Sequence, residues 1–300
     1  MIDTSTRIKP SRPVLRYHGG KWKLAEWIIS HFPAHKIYIE PFAGAASVLM
    51  RKARARSEMI NDLDGEIMNL FRVLRDPMQA RELERLIRLT PYARSEFEAS
   101  YLSGSDPIEQ ARRLIFRSFA GFGVDGITAT WTTGFRENLT RNGGSPANDW
   151  MNYPDAIAAM TERLRGVVIE NRPALHLIEK HDTPATLFYC DPPYAHATRA
   201  GWVKRRHSYR HEMSDDEHRE LATALHAVKG MVVISGYPCA LYDELFGDWE
   251  CVQREAMADG ARKRIECLWL SPATKARLQL GLFSELMRSS ARRRGEGNDD

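Results

Sequence analysis

Two periodicities share this chain. Short apolar runs that read as buried strands occur at 37–40, 58–62, 167–170, 187–190, 231–235, 249–255 and 265–270. Between them apolar positions recur every three or four residues. Leu24, Trp27, Ile28 and His31 share one side of a helix, and a second apolar helix starts at Val48. Ser214-Asp-Asp-Glu217 is a capping box, predicting a helix that runs to Lys229 and ends at Gly230. Strand, glycine-bearing turn and helix follow one another at 37–48, the first unit of a nucleotide-binding α/β fold. The last two strands are joined by polar residues 257–264 and predict a terminal hairpin.

The rhythm breaks from Asp76 to about Arg165. Helical patterns cover 78–89, 94–102 and 107–119, with few strand signals. A glycine-flanked, β-prone stretch follows, predicting a hairpin near 121–144 that carries Trp131, Phe135, Arg136 and Arg141. The expected organisation is a sheet domain from 14–75 and 166–283, interrupted by a mainly helical insertion at 76–165. Residues 284–300 are charged and lack apolar periodicity, so they read as a disordered tail.

Composition narrows the classes. Three hundred residues with 43% hydrophobic content can bury one large core or two modest ones. No apolar run approaches the roughly 18 residues a membrane span needs, and residues 1–13 lack a signal-peptide core, so a cytoplasmic protein is expected. Cys190, Cys239, Cys251 and Cys267 show no paired metal spacing, and His207 and His211 have no thiol or acidic partner at ligand distance, so no metal is expected. The net charge of +4 is too small to imply nucleic acid by itself. Its distribution is more telling: from Ala53 to Glu179 every Lys or Arg position is arginine. That bias suits phosphate and guanine recognition, and equally fits a GC-rich coding sequence.

The candidate chemistry centres on Asp191-Pro-Pro-Tyr194. Two consecutive prolines cannot donate to a sheet ladder, so the strand before them stops at Asp191. The carboxylate and Tyr194 then project from the carboxyl end of a strand, where open α/β sheets bind ligands. Gly19-Gly20-Lys21 permits a tight turn bearing a cation, without the residues of a phosphate-binding loop. Asp62 ends the second strand, where it can accept from a ribose or simply cap the helix beginning near Asp64. After Tyr194, residues 195–213 carry Arg199, Lys204, Arg205, Arg206 and Arg210 with Trp202 and Tyr209. Such a loop can hold a phosphate backbone and an extruded base, or be an ordinary solvated face.

The order Gly19-Gly20-Lys21, Pro41-Phe42-Ala43-Gly44, Asn61-Asp62 and Asp191-Pro192-Pro193-Tyr194 resembles that of Dam-like (alpha-group) adenine-specific DNA methyltransferases, over residues 14–283. The resemblance implies a Rossmann-like class I methyltransferase sheet of seven strands, with the helical insertion as target-recognition domain. It implies S-adenosyl-L-methionine as methyl donor, held by Tyr17, Lys21, Phe42, Gly44, Asp62 and Asp191. Catalysis would fall to Asp191, Pro192 and Tyr194, and double-stranded DNA would meet Trp131, Arg136, Arg141, Lys204, Arg205 and Arg206. It further implies a bacterial or phage-encoded monomer or weak dimer that can pair with a cognate restriction endonuclease.

Three positions depart from the family pattern. Tyr17 stands where Trp is usual, Ala46 replaces the second glycine of the strand-one turn, and Pro173 lies where an acid often binds the cofactor's adenine amine.

In the implied reaction the Asp191 carboxylate and Pro192 carbonyl accept the two amine hydrogens of a flipped-out adenine, Tyr194 stacks on the ring, and the methyl group transfers directly. Relatives that methylate RNA or protein amides generally carry Asn where Asp191 stands. A DNA-binding module without activity would not need Lys21, Asp62, Asp191 and Tyr194 together. Cys190 lies inside the strand and reads as packing, not as a cytosine-methylase nucleophile.

Overall fold

A computed structural model describes residues 9–17, 19–122, 133–138, 145–195, 210–258 and 262–281. The expected apolar runs form β1 (Ile37–Glu40), β2 (Ser57–Asn61), β3 (Val167–Glu170), β4 (Thr186–Cys190), β5 (Met231–Gly236), β6 (Glu250–Ala258) and β7 (Arg262–Leu270). They make one sheet in the order β3-β2-β1-β4-β5-β7-β6, parallel except for β7, which runs antiparallel to both β5 and β6.

Side chains alternate between two cores, as the strand period requires. Tyr38, Leu187, Tyr189, Val233 and Leu268 face one core, and Ile39, Phe188, Cys190, Ile234 and Cys267 face the other. The second core is closed by α9 (Ala174–Lys180), α10 (Asp215–Ala227) and α11 (Ala240–Phe246) through Leu177, Leu221, Leu225 and Phe246. The capping box of α10 forms as expected, with Ser214 and Glu217 each accepting from the other's backbone N–H.

The first core is covered by α1 (Ala25–Ile29), α2 (Ser47–Arg51) and α3 (Gly65–Arg75), then by α4 (Pro77–Leu89), α5 (Arg94–Ala99), α6 (Pro107–Ala120), α7 (Pro146–Met151) and α8 (Ile157–Leu164). Three of these open on a side-chain cap followed by proline: Asp76-Pro77, Asp106-Pro107 and Ser145-Pro146. The cap accepts orphan N–H groups, and proline at the first helical position forgoes one that would be unpaired anyway. Helices α4 to α8 have no core of their own. Leu83, Phe116, Trp150, Tyr153 and Leu164 pack in the same cluster as Tyr38 and Leu187 of the sheet. Beyond α6 the chain turns back on itself: Gly121 bridges Phe135, Phe122 N–H donates to Gly134 at 2.6 Å and Arg136 N–H to Ala120 at 2.8 Å.

A buried ion cluster clamps α8 to β2. Arg163 donates twice to the Glu58 carboxylate, at 2.6 and 3.0 Å, and once to the Leu49 carbonyl at 2.9 Å. Lys52 Nζ donates to Glu58 at 2.9 Å. Burial alone would push the Glu58 carboxyl up, but Arg163, Lys52 and the Ala55 N–H together hold it below the usual range. Arg163→Ala leaves buried charge undercompensated and is expected to cost about 3–5 kcal/mol. The pH sense follows from the lowered folded pKa. The Glu58 contribution is complete above the unfolded carboxylate pKa and is lost as pH falls through the folded one. Urea unfolding should therefore show the Arg163→Ala deficit near neutrality and its narrowing in acid.

Candidate active site

The chain runs from β1 outward to β3 and then returns to β4 on the other side of β1, so the crossover reverses between β1 and β4. Loops leaving the carboxyl ends of adjacent strands part there, opening a crevice. A cleft of about 220 Å³ occupies it, lined by the turn after β1, the ends of β2 and β4, the start of α9 and residues 210–213.

Backbone geometry in the cleft depends on small residues. Gly19 and Gly44 have φ of 71° and 47°, in the left-handed region open to glycine. A Cβ on Gly44 would sit 2.8 Å from the Tyr17 ring, so the glycine lets that ring lie against the turn. Ala46 is itself in the left-handed conformation, with φ 47° and ψ 37°. An alanine there costs roughly 1–2 kcal/mol without changing the turn's path.

Asp62 braces the same turn from β2. Its two oxygens accept the Gly44 and Asp64 N–H groups, each at 2.9 Å. The cap of α3 is Asp64, which accepts from Glu66 N–H, so Asp62 is not the helix cap. Burial raises the Asp62 carboxyl above its ordinary value.

The tetrapeptide Asp191–Tyr194 is tied to the glycine turn from 170 residues away. Lys21 Nζ donates to Asp191 Oδ2 at 2.9 Å, to the Gly19 carbonyl at 2.8 Å and to the Tyr194 hydroxyl. Burial would strip its proton, but the charges of Asp191 and Glu266 outweigh that and keep the ammonium pKa above the usual value. Ser235 Oγ, at the end of β5, donates to Asp191 Oδ1 at 2.7 Å. Tyr194 is only 6% exposed, with its ring 4.6 Å from that of Tyr237.

Seven carboxylates line the cleft among the described residues: Glu40, Asp62, Asp64, Asp191, Glu212, Glu217 and Glu220. Lys21, Arg210 and His211 are the basic side chains there, and Arg210 is spent on Asp64 at 3.0 Å and Glu66 at 3.2 Å. Glu40 accepts from the Tyr38 hydroxyl and Leu49 N–H, both at 2.7 Å, and burial lifts its pKa to about 7. Burial also raises the Cys190 thiol, which makes it a poor nucleophile.

All six residues expected to hold a cofactor, Tyr17, Lys21, Phe42, Gly44, Asp62 and Asp191, line this one cleft. Pro192 is buried and is not among the residues that line the cleft, whereas Pro193 is. Of the residues expected to meet DNA, Arg136 is described: it turns its guanidinium back to the Phe119 carbonyl at 2.8 Å, at the carboxyl end of α6. Trp131, Arg141, Lys204, Arg205 and Arg206 lie outside the described residues. Pro173 and Leu175 give the cleft an apolar wall at the start of α9. Ser235, Tyr237 and Glu266 were not singled out from the sequence, and Arg210 was noted only as one cation of the basic stretch after Tyr194. A glutamate inside the apolar run 265–270 is a visible anomaly. Ser235 becomes significant only once β4 and β5 are known to be neighbours, with Cys190 opposite Ile234.

A family model for D12 class N6 adenine-specific DNA methyltransferases matches residues 17–259. DNA adenine methylase of Salmonella typhi is 23% identical over 248 residues, which is 80% of this chain and 85% of that protein. DNA adenine methylase of Escherichia coli K12 is 24% identical over 196 residues, or 63% and 66% of the two chains. The Vibrio cholerae El Tor protein of the same name is 29% identical over 125 residues, 40% and 44% respectively. The match spans the glycine turn, the helical segment and the catalytic tetrapeptide in one frame, and the chain belongs to the D12 class of N6 adenine-specific DNA methyltransferases.

Proposed function

We propose that the cleft binds S-adenosyl-L-methionine and that Asp191 is the acceptor that activates the adenine amine. The observation that carries this reading is the Asp191 carboxylate, held at both oxygens at the rim of an acid-lined cleft. The cleft suits that cofactor chemically. A sulfonium with an ammonium group favours the seven carboxylates, and the Gly44 turn offers a surface without a side chain against which a nucleoside can rest. When bound, the cofactor supplies a methyl group activated by its positive sulfur.

The chain's own residues do the rest. Adenine's amino nitrogen is a weak nucleophile because its lone pair is delocalised into the ring. Asp191 and the Pro192 carbonyl each accept one amine hydrogen, drawing the nitrogen toward tetrahedral geometry and freeing the lone pair. Lys21 Nζ donates to Asp191 Oδ2 and fixes the orientation of the carboxylate. Tyr194 stacks on the extruded base, which requires its ring to turn out from Tyr237 and its hydroxyl to leave Lys21. Asp62 accepts from the ribose while bracing the turn at Gly44.

Target choice is assigned to the helical segment 76–165 and to the residues that follow α6, with Trp131, Arg136 and Arg141. Lys204, Arg205 and Arg206 would take the phosphate backbone. The reaction would take place in the cytoplasm, on bacterial or phage DNA. Among the described residues no helix is long and apolar enough to cross a membrane.

Asp191→Ala should lose at least about 100-fold in turnover while remaining folded and still binding duplex DNA, because the interaction belongs mainly to the transition state. Tritium transfer to unmethylated DNA at saturating cofactor measures it, and near-normal turnover would overturn the reading. Asp191→Asn separates charge from acceptor geometry, since its amide oxygen still accepts. It should be nearly as impaired as the alanine variant, because its uncharged oxygen leaves the Lys21 ammonium unpaired.

Asp62→Ala should weaken S-adenosyl-L-methionine binding by about 10- to 100-fold, the worth of roughly 1.5–3 kcal/mol for a hydrogen bond to a charged group. Calorimetry with unchanged cofactor affinity would remove Asp62 from the cofactor site.

A further inference from the structure

Asp191 is gripped from a second side by residues no motif contains. Ser235 Oγ lies 2.7 Å from Asp191 Oδ1 and 3.1 Å from the Tyr189 hydroxyl. Ser235 is 1% exposed and Tyr189 is 2% exposed, so water does not compete for these bonds. A serine hydroxyl has one hydrogen, and the ionised carboxylate can only accept. Its hydrogen goes to Asp191 Oδ1 at 2.7 Å in preference to the Cys190 carbonyl at 3.4 Å, and its own oxygen is left to accept from Tyr189. Burial and the neighbouring Asp191 charge raise the Tyr189 phenol well above its ordinary pKa, so it stays a neutral donor. The result is a directed chain: Tyr189 donates to Ser235, and Ser235 donates to Asp191.

The sheet dictates this arrangement. Cys190 pairs with Ile234 across parallel β4 and β5, so Asp191 and Ser235 are the next pair at the carboxyl edge. Tyr189 lies two residues before Asp191 on β4 and shares its face of the sheet. With Lys21 on Oδ2 and Ser235 on Oδ1, the carboxylate has one donor per oxygen among the described residues and cannot rotate about its Cβ–Cγ bond without breaking one of them. Each oxygen keeps a further lone pair for an amine hydrogen.

We propose that Ser235 is the positioning residue that fixes the catalytic carboxylate, with Tyr189 orienting Ser235 in turn. This rests on the reading of Asp191 as the amine acceptor. Ser235 touches neither the base nor the cofactor; it sets the plane of the carboxylate that does. Its loss should lower turnover without weakening either ligand.

The test compares Ser235→Ala, Ser235→Cys, Tyr189→Phe and the double variant Tyr189→Phe/Ser235→Ala, in the full chain. The measurements are tritiated methyl transfer to unmethylated duplex DNA, cofactor affinity by calorimetry and the melting temperature. Ser235→Ala should lower kcat about 10- to 100-fold, the range expected for one lost hydrogen bond to a charged group, with KM for DNA and cofactor Kd within about threefold of the parent. Tyr189→Phe should lower kcat less, and the double variant should be no worse than Ser235→Ala, because the tyrosine acts only through the serine. Ser235→Cys, a weak donor of similar shape, should recover part of the loss. A kcat for Ser235→Ala within about twofold of the parent, or a loss confined to cofactor Kd, overturns the proposal. Should Ser235→Ala fail to fold, Tyr189→Phe decides, and a kcat equal to the parent's counts against it. Asp191→Ala separates the two claims. If that variant is active the acceptor reading fails; if it is inactive while Ser235→Ala is fully active, only the positioning role fails.

Discussion

The buried contact between Lys21 and Asp191 is the constraint on which the site depends. It joins the glycine turn that precedes α1 to the end of β4 and uses all three ammonium hydrogens on the Gly19 carbonyl, Asp191 and Tyr194. A buried lysine is costly unless its charge is matched and its donors are satisfied. Here both conditions are met only if the glycine turn, the catalytic turn and the β5–β7 edge bearing Glu266 are all in place. The cation therefore works as an assembly check: three segments far apart in sequence must converge before the ion pair stabilises anything.

Much of this was legible in the sequence. Strands β1, β2, β4 and β5 coincide with short apolar runs, because a strand buried on both faces has no room for polar alternation, whereas β6 is largely exposed and mostly polar. The terminal hairpin was legible only in part. Its strands extend to Ala258 and begin again at Arg262, closer to the turn than the apolar runs suggest. Met257 pairs with Lys263 and Ala258 with Arg262 there, so backbone pairing continues into the stretch 257–264 that read as the connection. The helix expected over 94–102 ends at Ala99. Helices α9 and α11 span seven residues each, too short to display two full turns of apolar period.

The site divides along the same line. Residues on motifs (Lys21, Gly44, Asp62 and Asp191) were readable because each motif is local and their order was informative. What escaped was contact across the sheet. That Ser235 would meet Asp191 depends on strand order and register, and neither is written in the residues themselves. Asp62 carried two readings at the sequence level, as ribose acceptor or as helix cap. The structure gives the cap to Asp64 and leaves Asp62 bracing the turn after β1.

The helical segment is the part of the chain whose pattern differs most from the sheet, yet it is not mechanically separate. Its aromatic residues Phe116, Trp150 and Tyr153 belong to the core that underlies β1 and β4. A second link is ionic. Glu66, in the first turn of α3, accepts from Arg117 of α6 at 2.7 Å and pairs with Arg210 at 3.2 Å, while Arg210 also holds Asp64 at 3.0 Å. One carboxylate thus joins the last turns of α6, the turn after β2 and the chain segment that returns from the catalytic loop. Pairs of this partly exposed kind stabilise little individually, and their effect is geometric. Any displacement of α6 changes what Glu66 can offer Arg210, and Arg210 lines the same cleft as Asp62 and Asp191. The helical segment and the cleft wall therefore share an ion cluster as well as a core.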